Sequence, residues 1–410
     1  MKSTINFNIH VSSLVFILLG LTVNQAQGTA SNNLTNCQSV ASSFRTTVSG
    51  PVANITSTTG TNVTCTSLSG SSCPGSNISG SCVFQHKLSV SCYLSGSTVK
   101  IRIQSNGLPY YCPSMPSSDT FAEQNIDFEV NFNPDVSVNS PLQSATTVSA
   151  LSTLLCNIQG SSNPPSGSAY VNYGSSYSTL AGVSVDGVSI MNVNSLNNVD
   201  PFYPAGSFAA ESVDTCLAHC QAAGIYHYHM GSGCAKANPS SGPSACASVP
   251  TCSSNISNYG ISSFSSYTTL TVIGISRDGH VIYGPYTSSG VEVTSGTDIC
   301  NGMFYDSIGN YAYFATRKFP YITGCYGPGN YPSVSVNCST NAPSSYTMSS
   351  YASALSSSNV TTVSTNATTV SSNTTTTIAS NTTRSKALRR ESSVFLLLMT
   401  LIVIGIGWMD

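Results

Sequence analysis

Fifteen cysteines follow a short apolar leader in this chain, and they constrain its fold more than any other feature. They stand at 37, 65, 73, 82, 92, 112, 156, 216, 220, 234, 246, 252, 300, 325 and 338. The leader is the apolar run Val11 to Val23 behind Lys2, with small residues at Ala26, Gly28 and Ala30. That pattern reads as a secretory signal peptide over residues 1–28, too short and too near the N-terminus for a good spanning helix. Cysteines exported to an oxidising compartment form a disulfide framework. Seven of them fall in residues 31–160 and eight in 165–340. The eight can close on themselves in 105 ways, which would place the odd thiol in the first region.

Only 7 % of the residues are charged, against roughly 25 % in ordinary globular domains. Ser, Thr, Asn and Gly must therefore make the surface. A formal net charge of −2 offers no electrostatic footprint for nucleic acid. Asn33, Asn54, Asn62, Asn77, Asn255, Asn337, Asn359, Asn366, Asn373 and Asn381 each head an Asn-x-Ser/Thr sequon, so N-linked glycans are expected on the secretory route.

Strand signals dominate the folded part. In residues 31–160 Val99, Ile101 and Ile103 interleave with Lys100, Arg102 and Gln104, and Ile126, Phe128, Val130 and Phe132 with Asp127, Glu129 and Asn131. A period of two marks half-buried strands. Leu88–Tyr93 and Thr98–Gln104 flank a Ser-Gly-Ser turn and read as a hairpin, and no capped helix is expected in this region. A Ser/Gly/Pro-rich linker near 160–180 leads to the second region, 165–340. There Val213 to Ala223 reads as a helix, with Cys216 and Cys220 on one face stapling it to other elements. Leu270–Ser276 and His280–Tyr283 flank Asp278-Gly279, a hairpin signal. The fold class expected is mainly β: two disulfide-rich, β-sandwich-like ectodomains, the second with one short helix, then a disordered Ser/Thr stalk.

That stalk, residues 341–383, has four sequons and no apolar spacing for a core. Residues 384–410 add a polar spacer and the apolar tail Val394 to Trp408, shorter than the roughly twenty residues of a spanning helix. Arg389 and Arg390 precede the tail and nothing basic follows it. This is the pattern of a GPI-attachment signal, with a short transmembrane tail as the alternative. Either anchor places the chain on the extracellular face of the plasma membrane.

Five histidines follow the leader, and three of them, His219, His227 and His229, fall within eleven residues. On a strand, Ile225, His227 and His229 share one face, with Tyr226, Tyr228 and Met230 on the other. His227 and His229 are then about 7 Å apart at Cα, close enough to grip one metal ion. With His219 they make a three-nitrogen set, the arrangement of catalytic zinc and one that also suits copper. Asp214 or Asp278 could orient an imidazole or accept a proton, and the Asp278-Gly279 hairpin could bring His280 alongside. The competing reading makes these histidines hydrogen-bonded structural residues of a polar core. No Gly-x-Ser-x-Gly elbow, phosphate loop or His-Glu-x-x-His helix is present.

Tyr226-His227-Tyr228-His229 is the name-giving motif of the YHYH domain, and the residues around it resemble that family in order. Asp214-Thr-Cys-Leu-Ala-His219 is similar to the segment ahead of the motif. Val272 to Tyr286 is similar to the second block, with its Asp-Gly and Ile-Tyr-Gly-Pro. Phe319 to Pro328 resembles the closing segment of eukaryotic members. The resemblance covers roughly 165–330 and implies a domain, without naming a reaction. This chain departs from the pattern at Thr268, Thr269 and Leu270, where many members carry a histidine, and at His280 and Val281, where others have an aromatic residue and a proline. Three functions stand open: a cell-surface glycoprotein with a histidine-centred metal site, an extracellular copper- or zinc-dependent enzyme, and an adhesion module whose Tyr-rich surface meets a protein or glycan partner.

Overall fold

Alternation builds the first region as the spacing predicts. In the computed structural model β4 (Leu88–Ser95) and β5 (Thr98–Ser105) form an antiparallel hairpin, and β6 (Ile126–Asn131) pairs with the far side of β5. Val99, Ile101 and Ile103 are buried, while Arg102 reaches out to grip Asp127 with two guanidinium nitrogens, Nε and Nη2. A second small sheet has β3 (Ser81–His86) between β1 (Thr61–Cys65) and β2 (Ser76–Ile78). His86 is buried at the end of β3, its ring nitrogens against the carbonyls of Leu108 and Arg45. The structure describes residues 32–134, Leu155 and 180–347, apart from 69–71, 115–119, 192, 196, 222, 240–241 and 328–334. The leader, the linker, the C-terminal tail and all of the stalk beyond residue 347 lie outside the described residues. Among the described residues no helix is long and apolar enough to cross a membrane.

The first region does contain a helix, Leu34–Ala41, contrary to the sequence expectation. Asn33 caps it by accepting from the Asn36 amide at 2.8 Å. The Cys37–Cys92 disulfide and the burial of Cys37 and Val40 hold it against β4. Such a short helix needs tertiary support, and its apolar spacing is too brief to stand out in the sequence.

The second region is one eight-stranded sheet, ordered β13-β14-β12-β11-β7-β8-β10-β9. Its strands are β7 (Leu180–Ser184), β8 (Ser189–Met191), β9 (Ala218–Gln221), β10 (Ile225–Tyr228), β11 (Val272–Ser276), β12 (Val281–Tyr283), β13 (Gly302–Phe304) and β14 (Tyr311–Phe314). Read outward from the central β7/β11 pair, the two wings have the same plan. Each begins with a hairpin, adds a parallel strand, and ends on an antiparallel edge.

Val213 to Ala223 is not helical. Asp214 bends the chain by accepting from the amides of Cys216 and Ala218, and Leu217 takes a positive φ of 64°. Residues Ala218–Gln221 then form β9, with Ala218 and Cys220 buried and His219 and Gln221 half-buried. The apparent i, i+4 cysteine pair is two residues with different fates. Cys216 is bonded to Cys234, whereas Cys220 is a buried thiol. Among the described cysteines the thiol therefore sits in the second region, at Cys220, and not in the first. The helix of this region is instead Ile256–Ser262, capped by Asn255, with a single turn at Pro250–Ser253 ahead of it. Disulfides also join Cys65 to Cys112, Cys73 to Cys82, Cys246 to Cys252 and Cys300 to Cys325.

The two regions share both hydrophobic clusters. Phe84 and Phe121 belong with Tyr226 and Ile190 in one, and Ile101 and Val130 with Val183 and Phe314 in the other. Hydrogen bonds to backbone carbonyls stitch them at the hairpin turns of the large sheet. Ser105 Oγ donates to the Gly187 carbonyl at 2.5 Å, and the Asn133 amide donates to that of Gly279 at 2.9 Å.

Candidate metal centre

The β9/β10 hairpin brings the histidines together. His219 and His227 are directly opposed in the antiparallel register, and His229 follows two residues on, where β-alternation returns to the same face. Their rings lie 4.5 to 5.5 Å apart between centroids. The Nε2 atoms of His227 and His229 are 3.0 Å apart. His227 Nδ1 lies 2.9 Å from the Ile225 carbonyl, which fixes the proton on Nδ1 and turns the Nε2 lone pair to the centre. Burial, then the neighbouring His229 and His219, hold the His227 imidazole well below its ordinary pKa. It is neutral there, the form in which imidazole binds metals.

A fourth group was not among the sequence candidates. Glu211 Oε2 lies 3.1 Å from His219 Nε2 and 3.4 Å from His229 Nε2. Burial alone would raise the Glu211 carboxyl, but the close His219 and the charges of His229 and His219 bring it below its ordinary value. Although close, Glu211 Oε2 and His219 Nε2 are buried without a hydrogen bond of acceptable geometry. Leaving such groups unmet costs free energy. In a chain with 15 acidic residues, a Glu three positions before Asp214 was the available signal. The Glu211 side chain is 22 % exposed and that of His229 5 %, so the centre opens on the Glu211 side.

The tyrosines face the other way. Tyr226 donates to Asp214 Oδ2 at 2.6 Å and Tyr228 to Asp186 Oδ2 at 2.9 Å. Tyr111, from the first region, lies 3.3 and 2.9 Å from their two hydroxyls. Burial pushes the Asp214 carboxyl up to about 7 and also raises Asp186. Asp214 is therefore a partner of Tyr226 and does not orient a histidine, because residue alternation puts them on opposite faces. Asp278 and His280 are likewise not at the centre. They lie 3.1 Å apart at the β11/β12 turn, where Tyr313 also donates to Asp278 at 2.5 Å. Four strand spacings separate β12 from β10, roughly 19 Å. Thr269, at the departure from the family pattern, bonds the Ser288 carbonyl.

The fold and site together define a disulfide-stapled β domain with three imidazoles gathered on one edge hairpin. Residues 161–298 match the family described as YHYH protein, so the chain carries a YHYH domain. The match stops short of the Phe319 to Pro328 segment. No curated protein and no solved structure matches the chain.

Proposed function

We propose that the YHYH domain binds one divalent transition-metal ion through His219, His227 and His229, with Glu211 as the fourth group. The observation that carries this reading is a set of separations. A tetrahedral ion with bonds of about 2.0–2.1 Å needs ligand atoms about 3.3 Å apart. Three of the pairs here are 3.0, 3.1 and 3.4 Å, and the three histidine nitrogens all lie within 4.8 Å of one another. An ion would also satisfy Glu211 Oε2 and His219 Nε2. Three imidazoles and a carboxylate suit zinc, and copper binds such donors more tightly. The leader, the sequons and the stalk with its apolar tail support a glycoprotein that presents this domain outside the cell from a lipid anchor. Asn33, Asn54, Asn62, Asn77, Asn255 and Asn337 are all exposed, as glycan attachment requires.

The test is elemental analysis of the purified chain after exposure to zinc or copper, beside a His227→Ala/His229→Ala variant. About one equivalent of metal is expected in the first protein and background in the second. Equal, near-zero metal in both would remove the proposal. For the anchor, phosphatidylinositol-specific phospholipase should release the protein from cells. Retention, with an anchored control released, would count against it.

A further inference from the structure

The two wings of the large sheet match residue by residue. Asp214 accepts from the Cys216 amide at 2.8 Å and Asp298 from the Cys300 amide at 2.9 Å. The residue three after each aspartate has a positive φ, 64° at Leu217 and 65° at Asn301. Tyr226 donates to Asp214, and Tyr311 to Asp298 at 2.7 Å. Tyr228 donates to the hairpin aspartate Asp186, and Tyr313 to the hairpin aspartate Asp278. Tyr228 stands in register with Ile190, and Tyr313 with Ile282. Cys216 and Cys300 both tie their turns, by disulfides to Cys234 and Cys325, to the segment after the tyrosine strand. Across the centre the bonds are reciprocal: Val185 donates to Ile273 at 2.9 Å and Arg277 to Ala181 at 2.8 Å.

This correspondence pairs Tyr226-His227-Tyr228-His229 with Tyr311-Ala312-Tyr313-Phe314. The strand partner of His227 is His219, and that of Ala312 is Met303. The counterparts of the three histidines are thus Met303, Ala312 and Phe314, all buried in one apolar cluster. The tyrosines and their aspartates recur in both wings, and the histidines do not.

We infer that the sheet is an internal duplication holding two equivalent slots, of which the first is a ligand site and the second is closed by apolar side chains. The same backbone is held up in the second wing with apolar side chains at all three counterpart positions. His280 of that wing lies elsewhere, at the β11/β12 turn beside Asp278 and against the rings of Tyr311 and Tyr313. His219, His227 and His229 therefore serve a ligand, while Tyr226 and Tyr228 serve the architecture. The identity of that ligand as a metal rests on the proposal above; the division of roles between histidine and tyrosine does not.

The experiment replaces each histidine, one at a time in the full chain, by its counterpart: His219→Met, His227→Ala and His229→Phe. Beside them stand Tyr226→Phe, Tyr228→Phe, Tyr311→Phe and Tyr313→Phe. Thermal unfolding is measured in chelator, and zinc binding by titration with zinc chloride. Each tyrosine variant should lower the metal-free Tm by about 3–8 °C, since each leaves a buried carboxylate oxygen short of a donor. Tyr311→Phe and Tyr313→Phe should leave zinc binding in place. At least two of the histidine variants should hold the metal-free Tm within about 2 °C of the parent, and all three should lose stoichiometric zinc. Histidine variants that lose as much metal-free stability as the tyrosine variants would overturn the inference. Failure of the parent chain to bind zinc would refute the metal assignment and leave the Tm comparison to decide the rest.

Discussion

Gly279→Ala should lower the stability of this protein by about 3–5 kcal/mol, a Tm loss of roughly 10 °C. Gly279 turns the β11/β12 hairpin at a φ of 89°, where a side chain is strained whatever the space around it. A Cβ there would also stand 1.9 Å from the Asn131 carbonyl oxygen, a backbone atom at the end of β6. The hairpin turn and the first region must then part, breaking the Asn133 bond to the Gly279 carbonyl. Its counterpart Gly187 supplies the control. It has a similar φ of 82°, but the nearest atoms to its Cβ would be side-chain atoms, of His86 and Ser105 at 3.0 Å and of Leu88 at 3.6 Å. Gly187→Ala should cost about 1–2 kcal/mol. Equal losses in the two variants, measured by thermal or denaturant unfolding, would show that the first region does not bear on the second hairpin.

Asp214→Asn should change how stability depends on pH. An unfolded aspartate gives up its proton near pH 3.9, whereas burial holds that of Asp214 to about 7. The native state therefore binds an extra proton between these values. The stability this contributes is fully present below about pH 4 and is lost as pH rises through about 7. Three units correspond to at most about 4 kcal/mol. Asn keeps an acceptor for the Cys216 amide and has no proton to lose. The stability of the parent minus that of Asp214→Asn should fall by a few kcal/mol between pH 4 and pH 8. Asp186 and Asp200 are also raised by burial, but both proteins retain them, so the difference isolates Asp214. A difference that stays flat would mean Asp214 is ionised throughout and the tyrosine network carries a buried charge.

The alternating strands, the Asp278-Gly279 hairpin and the two faces of Tyr226 to Met230 were legible because period two and turn chemistry are local. The partnership of His219 with His227 was legible as proximity, but its cause was misread. A cysteine spacing of four imitates a helix, and only the Asp214 carboxylate, bonding two amides ahead, turns that stretch into a strand. The same local rule hid the role of Asp214, since a residue can be near a histidine in sequence and across the sheet from it in space. Asp278 and His280 were misplaced for a related reason. Strand order is set by long-range pairing, and no local feature says that β12 and β10 stand four positions apart. Glu211 was missed because it belongs to no motif; it matters through where the loop before Asp214 returns.

The β7/β11 junction bears on how such a sheet could arise. Its two strands exchange equivalent bonds about a local twofold axis, the geometry by which identical subunits meet. A single wing cut from this chain would expose β7 as an open edge already shaped to receive a copy of itself. On the duplication inferred above, this seam is where two four-stranded units joined as a homodimer would meet.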